Sequence, residues 1–132
     1  MTGMEPCRRA LVVEDDPAIR RLVEKLLQRH GIEIDTAHDG QQALEKIAAG
    51  RYSVLILDLM LPIANGYQVI DYIKKNKVPL PVVVVSAVSQ QALSKLDLDV
   101  VKMVISKPFD VSEFIAAITS LCGDPAPSRT QA

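Results

Sequence analysis

Five side chains could do chemistry because each follows a run of apolar residues: Glu14 and Asp15 in LVVEDDP, Asp58 in VLILDLMLPIANG, Ser86 in VVVVSA and Lys107 in SKPF. An unpaired charge is costly to bury, so a carboxylate in the middle of VLILDLML needs a reason. If the three acids share one place they repel and bind protons more tightly, unless a cation offsets them. Mg²⁺ suits that role: it prefers octahedral oxygen ligands, keeps several waters, and is held by one or two carboxylates together with phosphate oxygens. The hydroxyl of Ser86 and the ammonium of Lys107 would then receive an incoming anion. This set describes phosphoryl transfer onto a carboxylate, giving an acyl phosphate. Taken singly, each residue has a plainer reading: an aspartate forms a turn, a serine caps its own backbone, a lysine is solvated. Only their shared position makes a site.

That position follows from the elements. ALVVE (10–14) reads as a buried strand, after which Ile19, Leu22, Val23, Leu26 and Leu27 recur at helical spacing behind Asp16 as N-cap and Pro17 in the first turn. Gly31 ends that helix. The alternation repeats with EIDTA (33–37), a helix capped by Asp39 and Gln42, the strand SVLIL (53–57), a helix capped by Asn65 and Gln68, and PVVVVS (81–86). A weak fourth helix is expected from about Ser89 to Leu96, then a short strand MVIS (103–106) and a fifth helix capped by Asp110 and Glu113. Five strands alternating with five helices predict an α/β fold, a doubly wound parallel sheet covered on both faces with right-handed crossovers. Ligands bind such sheets beyond the carboxyl ends of the strands, which is where all five singled-out residues fall.

A length of 132 residues with 48% hydrophobic content fits one domain. Fifteen basic against sixteen acidic residues, net −1 and without blocks of like charge, argue against direct nucleic-acid binding. The apolar runs are too short for a bilayer, and MTGMEPCRR lacks a secretory core, so a cytoplasmic protein with no membrane contact is expected. Cys7 and Cys122 have neither metal nor redox spacing and read as reduced thiols at the rim opposite the acids. His30 and His38 lack a ligand partner at useful spacing and read as surface residues.

LVVEDDP, TAHDGQQAL, LILDLMLPIANG, VVVVSA and SKPF, in this order, resemble the receiver domain of two-component response regulators over residues 8–122, leaving 1–7 and 123–132 as flexible termini. The resemblance implies a flavodoxin-like (βα)₅ sheet in the order 2-1-3-4-5. It implies that Asp58 is the phosphoacceptor and that Glu14, Asp15 and Asp58 hold Mg²⁺ (or Mn²⁺), with Asp15 the more direct of the acidic pair and Met60 adding its backbone carbonyl. Ser86 and Lys107 would contact the phosphoryl group, and the Lys107–Pro108 bond would be cis. The donor would be a histidine kinase or a histidine phosphotransferase. The output would be a protein target meeting the face made by the fourth helix, fifth strand and fifth helix.

Departures from the family pattern narrow this. Val104 stands where the family usually has an aromatic switch residue, with Val100 and Val101 before it, so a response to phosphorylation would have to run through Ser86, its loop and the weak fourth helix. Ala116, Ala117, Thr119 and Ser120 are expected to form a small uncharged outer face on the last helix, suited to docking a protein. Met60 and Val88, apolar where polar residues often assist water, imply slow self-dephosphorylation. The chain would thus catalyse its own phosphorylation and dephosphorylation without turning over an external metabolite. A non-switching scaffold is the alternative, as is a receiver cut from a longer regulator; a true phosphatase lacks its second acid, since Met60 stands two positions after Asp58.

Overall fold

A computed structural model of the chain describes residues 9–87 and 96–122, Cys122 by its backbone alone. Its elements are β1 (Arg9–Val13), α1 (Pro17–Arg29), β2 (Glu33–Ala37), α2 (Gly40–Ala49), β3 (Val54–Leu57), α3 (Gly66–Lys75), β4 (Val82–Ser86), β5 (Val101–Ser106) and α4 (Val111–Cys122). The helix expected as the fourth, and Val88, lie outside the described residues except for Leu96, so the helix expected as the fifth is α4. The thiols of Cys7 and Cys122 are also outside them.

The five strands pair in the order β2-β1-β3-β4-β5, all parallel. Side chains alternate across this sheet with the period of two that the strand imposes. Leu11, Leu55, Leu57, Val82 and Val84 face α2 and α3 in one core, where Ala43, Ile47, Val69, Ile70 and Ile73 meet them. Val12, Val54, Ile56, Val83 and Ile105 face α1 and α4 in the other, against Val23, Leu27, Phe114 and Ile118. Each such large side chain, fully buried, contributes about 1.5–3 kcal/mol, so both layers are pinned to the sheet.

The helices start where the caps require. Asp16 accepts hydrogen bonds from the Ala18 and Ile19 amides, Asp39 from Gln42, and Asn65 forms a reciprocal capping box with Gln68. Asp110 accepts from the Glu113 amide at 3.0 Å. Gly31, at φ 75°, turns the chain after α1. Three sequence expectations are corrected. β5 begins at Val101 rather than Met103, because a bulge between Val82 and Val83 lets Lys102 pass without a partner. Leu22 is 44% exposed, at the margin of the α1 stripe rather than in it. Ala117 is buried, since Phe114, Ala117, Ile118 and Leu121 form the inward stripe of α4, leaving Ala116 and Ser120 outside. The hydroxyls of Thr119 and Ser120 donate back to carbonyls of their own helix.

Candidate functional site

β1 and β3 are neighbours, and both end at the same rim. The Asp58 amide donates to the Val13 carbonyl at 3.1 Å, which places Asp58 beside the Glu14–Asp15 pair. β4 adjoins β3 and brings in Ser86, and β5 adjoins β4 and brings in Lys107, whose amide donates to the Ser86 carbonyl at 3.0 Å. The register of four strands thus gathers five residues that are far apart in sequence. The Lys107–Pro108 peptide is cis.

Lys107 Nζ lies 2.7 Å from Glu14 Oε1 and 2.9 Å from Asp58 Oδ2, one ammonium shared by two carboxylates. Asp58 Oδ1 accepts from the Met60 amide at 3.0 Å and from Ser86 Oγ at 3.4 Å. Glu14 Oε2 accepts from the Asp16 amide at 3.2 Å. Carboxylate oxygens of Glu14, Asp15 and Asp58 all lie within 4.8 Å of one another. Glu14, Asp58 and Ser86 are buried at 4%, 6% and 0% exposure, whereas Asp15 opens to solvent.

Two groups of the site are shifted, by burial and by their contacts with one another. Burial pushes the Glu14 carboxyl up, and the Asp58 charge adds to this, against the hydrogen bonds from Lys107 and the Asp16 amide. Burial lowers Lys107, but its hydrogen bonds to Glu14 and Asp58 and their charges outweigh that, so the ammonium is held above its ordinary value. Lys107 therefore stays charged, one ammonium against the two buried carboxylates it touches, with Asp15 as a third acid beside them. A hard divalent cation against oxygen donors is the group that fits this deficit, and the donor set is of the type that Mg²⁺ accepts.

All five sequence-predicted side chains converge, and Met60 is placed two residues beyond Asp58 with its amide turned to that carboxylate. His30 and His38 are exposed, and their ring nitrogens contact the Leu26 carbonyl and Gln42, well away from the acids in sequence. Sequence reasoning missed Arg20, whose Nη1 donates to the Glu14 carbonyl at 2.8 Å and ties α1 to the rim. Its signal was available: Arg20 lies one helical turn after the Asp16 cap, facing back toward the strand end.

Comparison with known proteins agrees with this geometry. The family model of the response regulator receiver domain matches residues 10–119. ArlR, a response regulator of Staphylococcus saprophyticus, is 32% identical over 113 residues, covering 84% of this chain and 50% of its own. The transcriptional regulatory protein DltR of Streptococcus agalactiae is 36% identical over 112 residues, with 83% and 50% covered. The chain therefore spans about half the length of the curated relatives it matches. Among solved structures, the response regulator TrrA of Thermotoga maritima, in complex with Mg²⁺–BeF, superposes with a TM-score of 0.78 at 34% identity, covering 86% of this chain and 98% of that one. A Francisella response regulator receiver domain gives a TM-score of 0.81 at 27% identity, with 86% and 95% covered. The chain belongs to the response regulator receiver domains.

Proposed function

We propose that this receiver is a phosphorylation switch in which Asp58 takes a phosphoryl group from a phosphohistidine of a histidine kinase or a histidine phosphotransferase. Receiver domains accept phosphoryl groups from histidine kinases and bind Mg²⁺. The observation that carries the reading for this chain is a buried Asp58 that shares Lys107 with Glu14 while three carboxylates crowd within 4.8 Å. In the transfer an Asp58 oxygen attacks phosphorus, the P–N bond breaks, and its electron pair leaves with the donor imidazole. Lys107 and Ser86 then face the phosphoryl oxygens. Glu14, Asp15, Asp58 and the Met60 carbonyl would hold Mg²⁺ or Mn²⁺, which supplies charge neutralisation for the transferred group. The domain is taken as residues 8–122, acting in the cytoplasm, and returning slowly to the free aspartate because Met60 is apolar. No helix among the described residues is long and apolar enough to cross a membrane.

Output would pass by protein contact at the face made by the expected fourth helix, β5 and α4, where Val104 of β5 is 36% exposed. Val104 also favours a second reading, a scaffold whose docking face does not change, because a valine lacks the ring that could rotate between exposed and buried positions. Incubation with a small phosphodonor and Mg²⁺ separates the readings. The switch predicts one phosphoryl adduct by mass on wild type, none on Asp58→Asn, and amide shifts spreading from Ser86 to β5. An adduct without those shifts favours the scaffold, and wild type without an adduct contradicts the switch.

A further inference from the structure

The segment after Asp58, residues 59–65, is gripped from two sides by glycines that open two helices. A Cβ on Gly66, the first residue of α3, would lie 2.6 Å from Leu59 Cα and 2.8 Å from the Asp58 carbonyl oxygen. A Cβ on Gly40, the first residue of α2, would lie 1.6 Å from the Ala64 carbonyl oxygen and 2.4 Å from its carbonyl carbon. The neighbour here is backbone, which cannot swing away as a flexible side chain could. The Gly40 amide also points to the Pro62 carbonyl at 3.4 Å, and Ala64 is itself buried.

Between the two grips, Ile63 holds φ at 69°, a left-handed conformation that a β-branched residue disfavours. Its side chain is 80% exposed, so packing of its own does not keep it there. Such a conformation persists only where the surroundings over-determine the backbone. The same segment carries Met60, whose amide fixes Asp58 Oδ1 at 3.0 Å.

We propose that Gly40 is a positioning residue for the phosphoacceptor site: the first turn of α2, pressed without a side chain against Ala64 and Pro62, fixes the loop that aligns Asp58 and Met60 for Mg²⁺. This rests on the reading of Glu14, Asp15, Asp58 and Met60 as the metal-binding set. It adds that the site depends on an element that contributes none of those groups. Gly50, just past the other end of α2, is the natural control, since its Cβ would only come 3.2 Å from the Lys46 carbonyl and the Tyr52 ring.

The test is Mg²⁺ titration followed by calorimetry and by the Met60 amide signal, with thermal unfolding alongside, on wild type, Gly40→Ala and Gly50→Ala. Supporting groups around a metal site typically alter affinity by 10–100-fold, so Gly40→Ala is expected to bind Mg²⁺ at least about tenfold more weakly and to show a displaced Met60 amide before metal is added. Gly50→Ala is expected to melt earlier with the affinity of wild type. Folded Gly40→Ala with wild-type affinity overturns the proposal. Should Gly40→Ala not fold, Asp39→Ala, which removes the cap on that same turn, is expected to bind Mg²⁺ more weakly and to exchange its Met60 amide faster; unchanged affinity there overturns the proposal equally. Wild type that binds no Mg²⁺ overturns this proposal and its parent reading together, whereas wild type and Gly40→Ala binding alike overturn this proposal alone.

Discussion

Two of the places where a carboxylate meets a lysine, the Asp35 cluster and the Lys107 rim, do opposite things. On the outer strand β2, Asp35 is saturated: Oδ1 accepts from Lys46 Nζ at 2.8 Å and the Thr36 amide at 2.9 Å, and Oδ2 accepts from Tyr52 Oη at 2.8 Å. Arg9 lies 3.7 Å from Oδ2 and stacks over the Tyr52 ring at 5.4 Å. One acid has two cations and a phenol, and the Lys46 hydrogen bond, with that of Tyr52, holds its carboxyl below the usual carboxylate range. At the rim the ratio is inverted, with Glu14 and Asp58 sharing Lys107 and Asp15 close to both acids. The first arrangement is complete and fastens an edge strand to α2 and the segment before β3. The second lacks positive charge, and the missing charge is what a metal and a chemistry can use.

Removing each lysine breaks the comparison most strongly. Lys107→Met leaves two buried acids with no shared base, so the metal-free protein should lose on the order of 3 kcal/mol in urea unfolding, and Mg²⁺ should recover a large part of it. Lys46→Met leaves Asp35 with Tyr52, Thr36 and Arg9, so a loss of about 1 kcal/mol, indifferent to Mg²⁺, is expected. Equal losses from the two variants, or equal responses to Mg²⁺, would erase the distinction.

A smaller effect sharpens it through pH. Burial, then the hydrogen bond to Asp35 and its charge, push the Tyr52 hydroxyl up to about 12 from an ordinary 10.0. The raised value means that Tyr52 contributes stability fully present below pH 10, lost as the pH climbs toward 12. Asp35, lowered, contributes stability present above its ordinary 3.8 and lost as the pH falls through the lowered value. Both groups thus support the fold at neutral pH. Glu14 is raised, so its contribution is present below its ordinary 4.5 and lost as the pH rises through the raised value, opposite in sign to that of Asp35. Melting curves from pH 8 to 12 should therefore fall more steeply for wild type than for Tyr52→Phe, by an amount of about 1 kcal/mol or less. Parallel curves would remove Tyr52 from the account.

What was legible in the sequence was what is local or periodic. Asp16, Asp39 and Asn65 cap helices because a cap needs only the next three residues, and the strand ends were readable because the apolar runs stop there. The convergence of Glu14, Asp58, Ser86 and Lys107 was readable because a parallel sheet aligns its strand ends. What depended on a neighbour was not. Ala117 passes for a surface residue until Phe114 and Ile118 show which way α4 faces, and Leu22 fits the α1 stripe until packing leaves it at the margin, 44% exposed. The bulge at Lys102 has no composition signal. The Asp35 cluster was missed because Lys46 and Tyr52 are 11 and 17 residues away, although a carboxylate inside an outer strand was itself a sign. Gly40 and Gly66 read as ordinary helix starts, since a close backbone approach leaves no trace in one sequence.

The central claim is that the rim is short of positive charge and the edge is not. Its most direct test is unfolding of wild type, Asp15→Asn and Asp35→Asn across a Mg²⁺ titration. The account predicts that wild type and Asp35→Asn gain stability with saturating behaviour, about 2.7 kcal/mol at one hundred times the dissociation constant, and that Asp15→Asn gains far less at the same concentrations. A wild type whose stability does not respond to Mg²⁺, or an Asp15→Asn variant that responds as wild type does, would contradict it.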